Sequence, residues 1–224
     1  MSRKLFSGSL CALMLVSGVA VANAATIATW TFEASPPTTA GPLAPDVGAG
    51  SATSVHSTGA TTYTNPSGNG SAESWNSNNW TVGDYYQFQV STLGLSGVTF
   101  SWDQTRSSSG PGFDNITDPN FKLQYSADGI NFTDHVNYLV PVNTWSGAAA
   151  DPLTQYSQDL SAITALDNKA AVYFRLTSTL PRQASSTNGT SRVDNVSIAT
   201  IPEPASFMLA MAGLAAAIAA RRIM

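Results

Sequence analysis

Cysteine is almost absent from this chain. Of 224 residues only Cys11 carries a thiol, and it sits in an apolar run near the start. A disulfide framework and a cysteine-based zinc site are therefore excluded, and the fold must be held by its own core. Charge is scarce as well: 11% of residues are charged, against about 25% in an ordinary globular chain. Long surface helices draw on Glu, Lys and Arg, so this shortage, with abundant Gly, Pro, Ser, Thr and Asn, favours strands and loops. Arg3, Lys4, Arg221 and Arg222 lie in the terminal segments, so the part between them is more acidic than the net charge of -4 suggests. No basic face remains for nucleic acid, which removes that partner class. No P-loop or Rossmann glycine pattern occurs, and no serine lies in G-x-S-x-G.

What is present begins with the three parts of a secretory signal. Arg3 and Lys4 supply the positive end, "LCALMLVSGVAVA" the apolar stretch, and Ala22-Asn23-Ala24 the small residues that a signal peptidase accommodates. Cleavage is expected after Ala24, leaving Ala25 as the new N-terminus. A lipoprotein reading of Cys11 is disfavoured because Leu10 stands where a small residue is expected and the apolar run continues past it.

The other end is apolar too. Between Ala205 and Ala220 the only polar side chain is Ser206. As a helix this stretch would span roughly 24 Å, short of a hydrocarbon core of about 30 Å unless flanking residues and snorkelling arginines extend it. A buried helix of a soluble domain would show a polar face, and this stretch has none. Arg221 and Arg222 are expected to stay on the cytoplasmic side. The order Pro202-Glu203-Pro204, short apolar helix, terminal Arg pair resembles the PEP-CTERM sorting signal of Gram-negative bacteria, with Ile223-Met224 after the arginines a small departure. The resemblance implies processing by an exosortase, transient anchoring in the inner membrane, and an exported life at the cell surface or in an exopolysaccharide or biofilm matrix. The expected organisation is a signal peptide over 1–24, one domain over 25–200 and a sorting tail over 201–224.

The body shows period-two alternation in short runs. "YYQFQV" sets Tyr86, Phe88 and Val90 against Gln87 and Gln89; "VTFSW" sets Val98, Phe100 and Trp102 against Thr99 and Ser101. "FKLQY" and "AVYFRL" repeat the pattern, and "ATWTFE" and "RVDNVSI" supply candidate first and last strands. Each run is bounded by Gly, Pro, Asn, Asp or Ser. Ser126-Ala127-Asp128-Gly129 predicts a hairpin turn. "LSAITALDN" predicts one or two helical turns capped by Ser161 or Asp159, and Ala34 to Ser74 reads as extended loop with one or two short strands. The predicted fold is all-β, one antiparallel β-sandwich, flanked by a signal helix and a C-terminal hydrophobic helix. "FKLQYSADGINFTD", "AVYFRLTST" and "SRVDNVSI" also resemble the bodies of exported PEP-CTERM proteins and bacterial jelly-roll modules, which implies a jelly-roll-like sandwich and no particular ligand.

Chemistry is sparse in the body. A serine triad would have to use His56 or His135, and a glycosidase pair would have to draw on Glu33, Glu73 or scattered aspartates. Asp114, Asn115 and Asp118, and separately Asp128, Asn131 and Asp134, are oxygen-rich, but neither set completes a calcium loop, and such residues commonly bond their own backbone. Asp194 is expected on one strand face with Arg192, Val196 and Ile198. A buried carboxylate requires a partner: Arg192, a backbone donor, or a structural calcium with Glu33 as second ligand. Trp75, Trp80 and Trp145 read as loop tryptophans among amides and hydroxyls, either glycan-stacking platforms or covers of the sandwich ends. The expectation is a non-enzymatic exported surface protein without a required cofactor; the alternatives are a carbohydrate-binding module for polysaccharide and a secreted hydrolase.

Overall fold

A computed structural model describes residues 25–57, 61–107, 118–179 and 189–200. The signal segment, the sorting segment with Pro202, Glu203, Pro204, Arg221 and Arg222, and the loop positions Asp114 and Asn115 lie outside the described residues. No helix among the described residues is long and apolar enough to cross a membrane.

The described chain is built from strands. In order they are β1 (Thr26–Trp30), β2 (Val47–Gly48), β3 (Ser51–Val55), β4 (Tyr63–Thr64), β5 (Trp75–Asn78), β6 (Tyr85–Val90), β7 (Val98–Arg106), β8 (Phe121–Ser126), β9 (Thr133–Tyr138), β10 (Gln155–Asp159), β11 (Val172–Ser178) and β12 (Thr190–Thr200). The first sheet runs β10-β7-β12-β1-β2, with β5 also paired to β12 and β4 to β5; the second runs β3-β6-β11-β8-β9. All pairings between named strands are antiparallel. The eleven-residue β12 is the spine of the first sheet: its beginning pairs with β5 and its end with β1, while β7 lies along its other side. Thr200 N donates to Ala25 O at 2.9 Å, so the chain enters and leaves the described body at one point.

The alternation predicted for the strands is what fills the space between the sheets. Val98, Phe100 and Trp102 of one sheet face Tyr86, Phe88, Val90, Leu123, Val172, Phe174 and Leu176 of the other, all buried. Aromatic rings close the gap: Trp30 meets Phe88 edge-on at 5.2 Å, and Phe100 stacks on Phe174 at 5.1 Å. Each such pair contributes about 0.5–1.5 kcal/mol beyond its buried area, which suits a core that has no disulfide to assist it. The turn after β8 forms as predicted, with Gly129 at φ +74.

Three local expectations are corrected. The stretch from Ala34 to Ser74 carries three strands, and β3 is a full edge strand whose Ala52 and Ser54 point into the core. Its small side chains gave no apolar signal. The expected helix is a single 3-10 turn at Thr164–Leu166, without a side-chain cap; the Asp159 carboxylate instead accepts from Ser161 N in the preceding turn. A β-bulge between Asp194 and Ser197, with Asn195 at φ +48, shifts the register of β12. Before the bulge Ser191 and Val193 point inward; after it Val196 and Ile198 do. Asp194 and Arg192 therefore share the outer face, not the face of Val196 and Ile198.

Candidate functional site

The three tryptophans proposed as stacking platforms are all buried, at 0% exposure for Trp75, 3% for Trp80 and 5% for Trp145. A sugar ring needs an open aromatic face, so this reading is corrected. Trp75 opens β5 and packs against Phe32, Tyr63 and Tyr86, its Nε1 donating to Thr39 O. Trp80 lies between His56, Tyr86 and Phe121 and donates to Ser77 O. Trp145 donates to Thr154 Oγ1. Trp75 and Trp80 belong to the core cluster, whereas Trp145 lies outside it, 5.9 Å from the Arg192 guanidinium.

Asp194 is fully buried, as a partner-seeking carboxylate, but its partner is not Arg192, whose guanidinium donates to Ser67 O. Asp194 Oδ2 accepts from Ser71 Oγ at 2.5 Å and Asn69 N at 2.8 Å, and Oδ1 accepts from Asn195 N. Its partners are thus the Ser71 hydroxyl and two backbone donors. Burial pushes its pKa up to about 7, with the neighbouring Asp103 adding to the rise and the three donors opposing it. Asp103 is raised by burial too, although Asn195 and Asn69 amides both donate to its Oδ2. Glu33 is engaged elsewhere, accepting from Glu73 N. Among the described residues no three His, Cys, Asp or Glu side chains gather as a metal ion would require. Asp128 spends its oxygens on Ser126 Oγ, Ile130 N and Asn131, which hold it well below the usual carboxylate range; Asp134 turns to Lys122 and Gln124.

One constellation escaped the sequence. Asp84 Oδ2 lies 3.2 Å from His56 Nδ1, and His56 Nε2 lies 3.2 Å from Ser77 Oγ, the connectivity of a serine triad. The hydroxyl is not open to a substrate. Ser77 is at 0% exposure, and its Oγ also bonds Tyr86 OH, which donates on to Ser191 O. Burial would raise the Asp84 pKa, but bonds from His56, Ser57 N and Thr81 N outweigh it and hold it low. The chain of bonds ties β5 and β6, in different sheets, to the loop after β3. His135, the other histidine, packs near Tyr125 at 6.5 Å and joins no such set.

Among the described residues, a shallow depression lies on the outer face of each sheet. That on the first sheet, about 400 Å³, is lined by Ser101, Trp102, Asp103, Gln155, Ser157 and Asn195. That on the second, about 360 Å³, is lined by Tyr85, Lys122, Gln124, Arg175, Thr177 and Ser178. Most of the lining is at positions that the alternation marks as outward or strand-end, although the inward Trp102 also borders the first depression. Pairing between distant strands brings them together, and that register was not legible.

Residues 200–223 match the PEP-CTERM protein-sorting motif. No curated protein matches the chain. Among solved structures it is similar to the K2 cleaved adhesin domain of Lys-gingipain, at 14% identity and TM-score 0.42, covering 76% of this chain and 96% of that one. TmCBM61, solved with β-1,4-galactotriose, aligns at 9% identity and TM-score 0.38 over 68% of this chain and 88% of that one. The K3 cleaved adhesin domain of Lys-gingipain from Porphyromonas gingivalis w83 aligns at 14% identity and TM-score 0.31, covering 60% and 77%.

Proposed function

We propose that this protein is an exosortase substrate, exported across the inner membrane of a Gram-negative bacterium and retained at, or released from, the outer surface as a non-enzymatic matrix or adhesion module. The observation that carries this reading is the sorting motif at 200–223, which begins where β12 ends. Signal peptidase acts after Ala24; Arg221 and Arg222 hold the tail on the cytoplasmic side; the exosortase recognises Pro202-Glu203-Pro204. The sandwich, read as jelly-roll-like, folds outside while its tail is still anchored. The carbohydrate-binding alternative is supported by the two polar depressions on its outer faces. A hydrolase is not favoured, because the Ser77 hydroxyl is enclosed. Fractionation of cells that make the full chain or a chain ending at Thr200 tests the reading. The full chain is expected in the membrane and at the surface, the shortened chain in the soluble exported fraction. Identical distributions would overturn it.

A further inference from the structure

We propose that the outer face of the second sheet binds an acidic polysaccharide through the carboxylate of a uronic-acid sugar, with Arg175 as forked donor and Lys122 as second cation. This rests on reading the body as a polysaccharide-associated module and supplies the ligand class and the place.

Register builds the site. Across β6, β11 and β8 the pairings set Gln87, Arg175 and Gln124 in one row and Tyr85, Thr177 and Lys122 in the next. The guanidinium of Arg175 is clamped: its Cζ lies 3.9 Å from the Tyr85 ring centre and 3.4 Å from that of Phe132, and its Nε donates to Gln87 Oε1 at 2.8 Å. Rings above and below remove most of the rotamer freedom that an arginine otherwise loses on binding, so the fork is fixed before a ligand arrives. Among the described residues no carboxylate pairs with it. Lys122 stands one strand away and is held in place by Asp134 at 2.9 Å, with Gln124 Nε2 on the same carboxylate. An ammonium has three donors and Asp134 lies to one side, so Lys122 retains capacity toward the depression.

The floor is polar, with Thr177 Oγ1 donating to Gln124 Oε1. The volume of about 360 Å³ falls within the range of small-ligand sites, roughly 300–1,000 Å³. Charge selects the ligand. Only six basic residues lie between Ala25 and Thr200, and two of them share this depression in an otherwise acidic body. A guanidinium fork matches the two oxygens of a carboxylate. The depression on the first sheet has no cation in its lining, and its one carboxylic acid is Asp103.

Titration calorimetry at low salt on the full-length exported protein, purified in detergent, tests this with three probes: trigalacturonate, its methyl ester, and a short peptide with a free C-terminal carboxylate. Trigalacturonate is expected to bind, with the ester about tenfold weaker or more, the loss of one charge-assisted contact, and the peptide weaker still. Arg175→Gln is expected to lose about tenfold, Arg175→Lys most of that, and Lys122→Gln about threefold with a shallower salt dependence; Lys169→Gln, elsewhere on the surface, changes nothing. Equal binding of acid and ester, a peptide that binds as tightly as the sugar, or wild-type affinity in a folded Arg175→Gln overturns the proposal. If Arg175→Gln does not fold, unchanged affinity in Lys122→Gln overturns it equally. Tail processing is read separately by mass, so a processed chain that binds no uronate refutes this inference alone.

Discussion

Asp194 makes the stability of this protein depend on pH in a direction opposite to that of an ordinary salt-bridged aspartate. Its carboxyl titrates near 3.8 when unfolded and near 7 in the fold, because burial beneath the loop of Asn69 and Ser71 outweighs three hydrogen bonds. Between those values the native state holds a proton that the unfolded chain has released. Stability from this group is therefore complete below pH 4 and lost as pH rises through 7, by about 1.4 kcal/mol per unit. Across the window the loss is about 4 kcal/mol. Asp194→Asn removes the titration while keeping one acceptor, at the cost of a mismatched donor facing Asn69 N or Asn195 N. Urea unfolding of wild type and variant from pH 4 to 8 isolates the effect, since most other groups titrate in both. The wild type is expected to lose about 4 kcal/mol relative to the variant across that range. A difference that is flat in pH, or that grows in favour of the wild type, would refute the argument that burial dominates here.

Other perturbations follow from single contacts. Tyr86→Phe removes a buried hydroxyl that joins Ser77, Trp75 O and Ser191 O across the sheets, and is expected to cost about 1–3 kcal/mol in denaturant unfolding. Gly129→Ala forces a side chain onto φ +74 with its Cβ 2.9 Å from the Tyr173 ring, so the melting temperature should fall by an amount equivalent to about 1 kcal/mol or more. Asp46 accepts from Thr31 N, Thr31 Oγ1, Phe32 N and Ala34 N around Phe32 at φ +61. Asp46→Ala should cost about 2 kcal/mol at neutral pH. Burial opposes ionisation of Asp46, but these bonds win and lower its pKa, so the deficit of the variant should shrink as pH falls below 4.

The strands were legible where large apolar residues alternate, because Phe88, Phe100, Leu123 and Phe174 have only one dry place to go. Ala52 and Ser54 face the same core but are small, so β3 left no apolar pattern among Gly, Ser and Thr. Trp75 and Trp80 misled for the converse reason. Their neighbours Asn76, Ser77 and Asn79 look like loop residues, yet all three are buried, and the two rings belong to the core. The bulge at Asn195 breaks the period-two rule in mid-strand, and no local composition announces it. His56, Ser77 and Asp84 meet only because β3 and β5 join different sheets at one end. Arg175, Lys122 and Tyr85 share a face only through pairing between strands far apart in the chain. Period-two patterning reports which side a residue faces, and it carries no information on what lies beside it.

The tail, by contrast, was readable because order and composition are the signal itself: Pro202-Glu203-Pro204, an apolar stretch, two arginines. Intact-mass analysis of the exported protein, from cells with and without the processing exosortase, is the most direct test of the central claim. With the enzyme, the recovered chain is expected to begin at Ala25 and to have lost the residues beyond the Pro-Glu-Pro border; without it, the chain from Ala25 to Met224 should remain whole. A tail that is intact in both strains, or removed in both, would contradict the account.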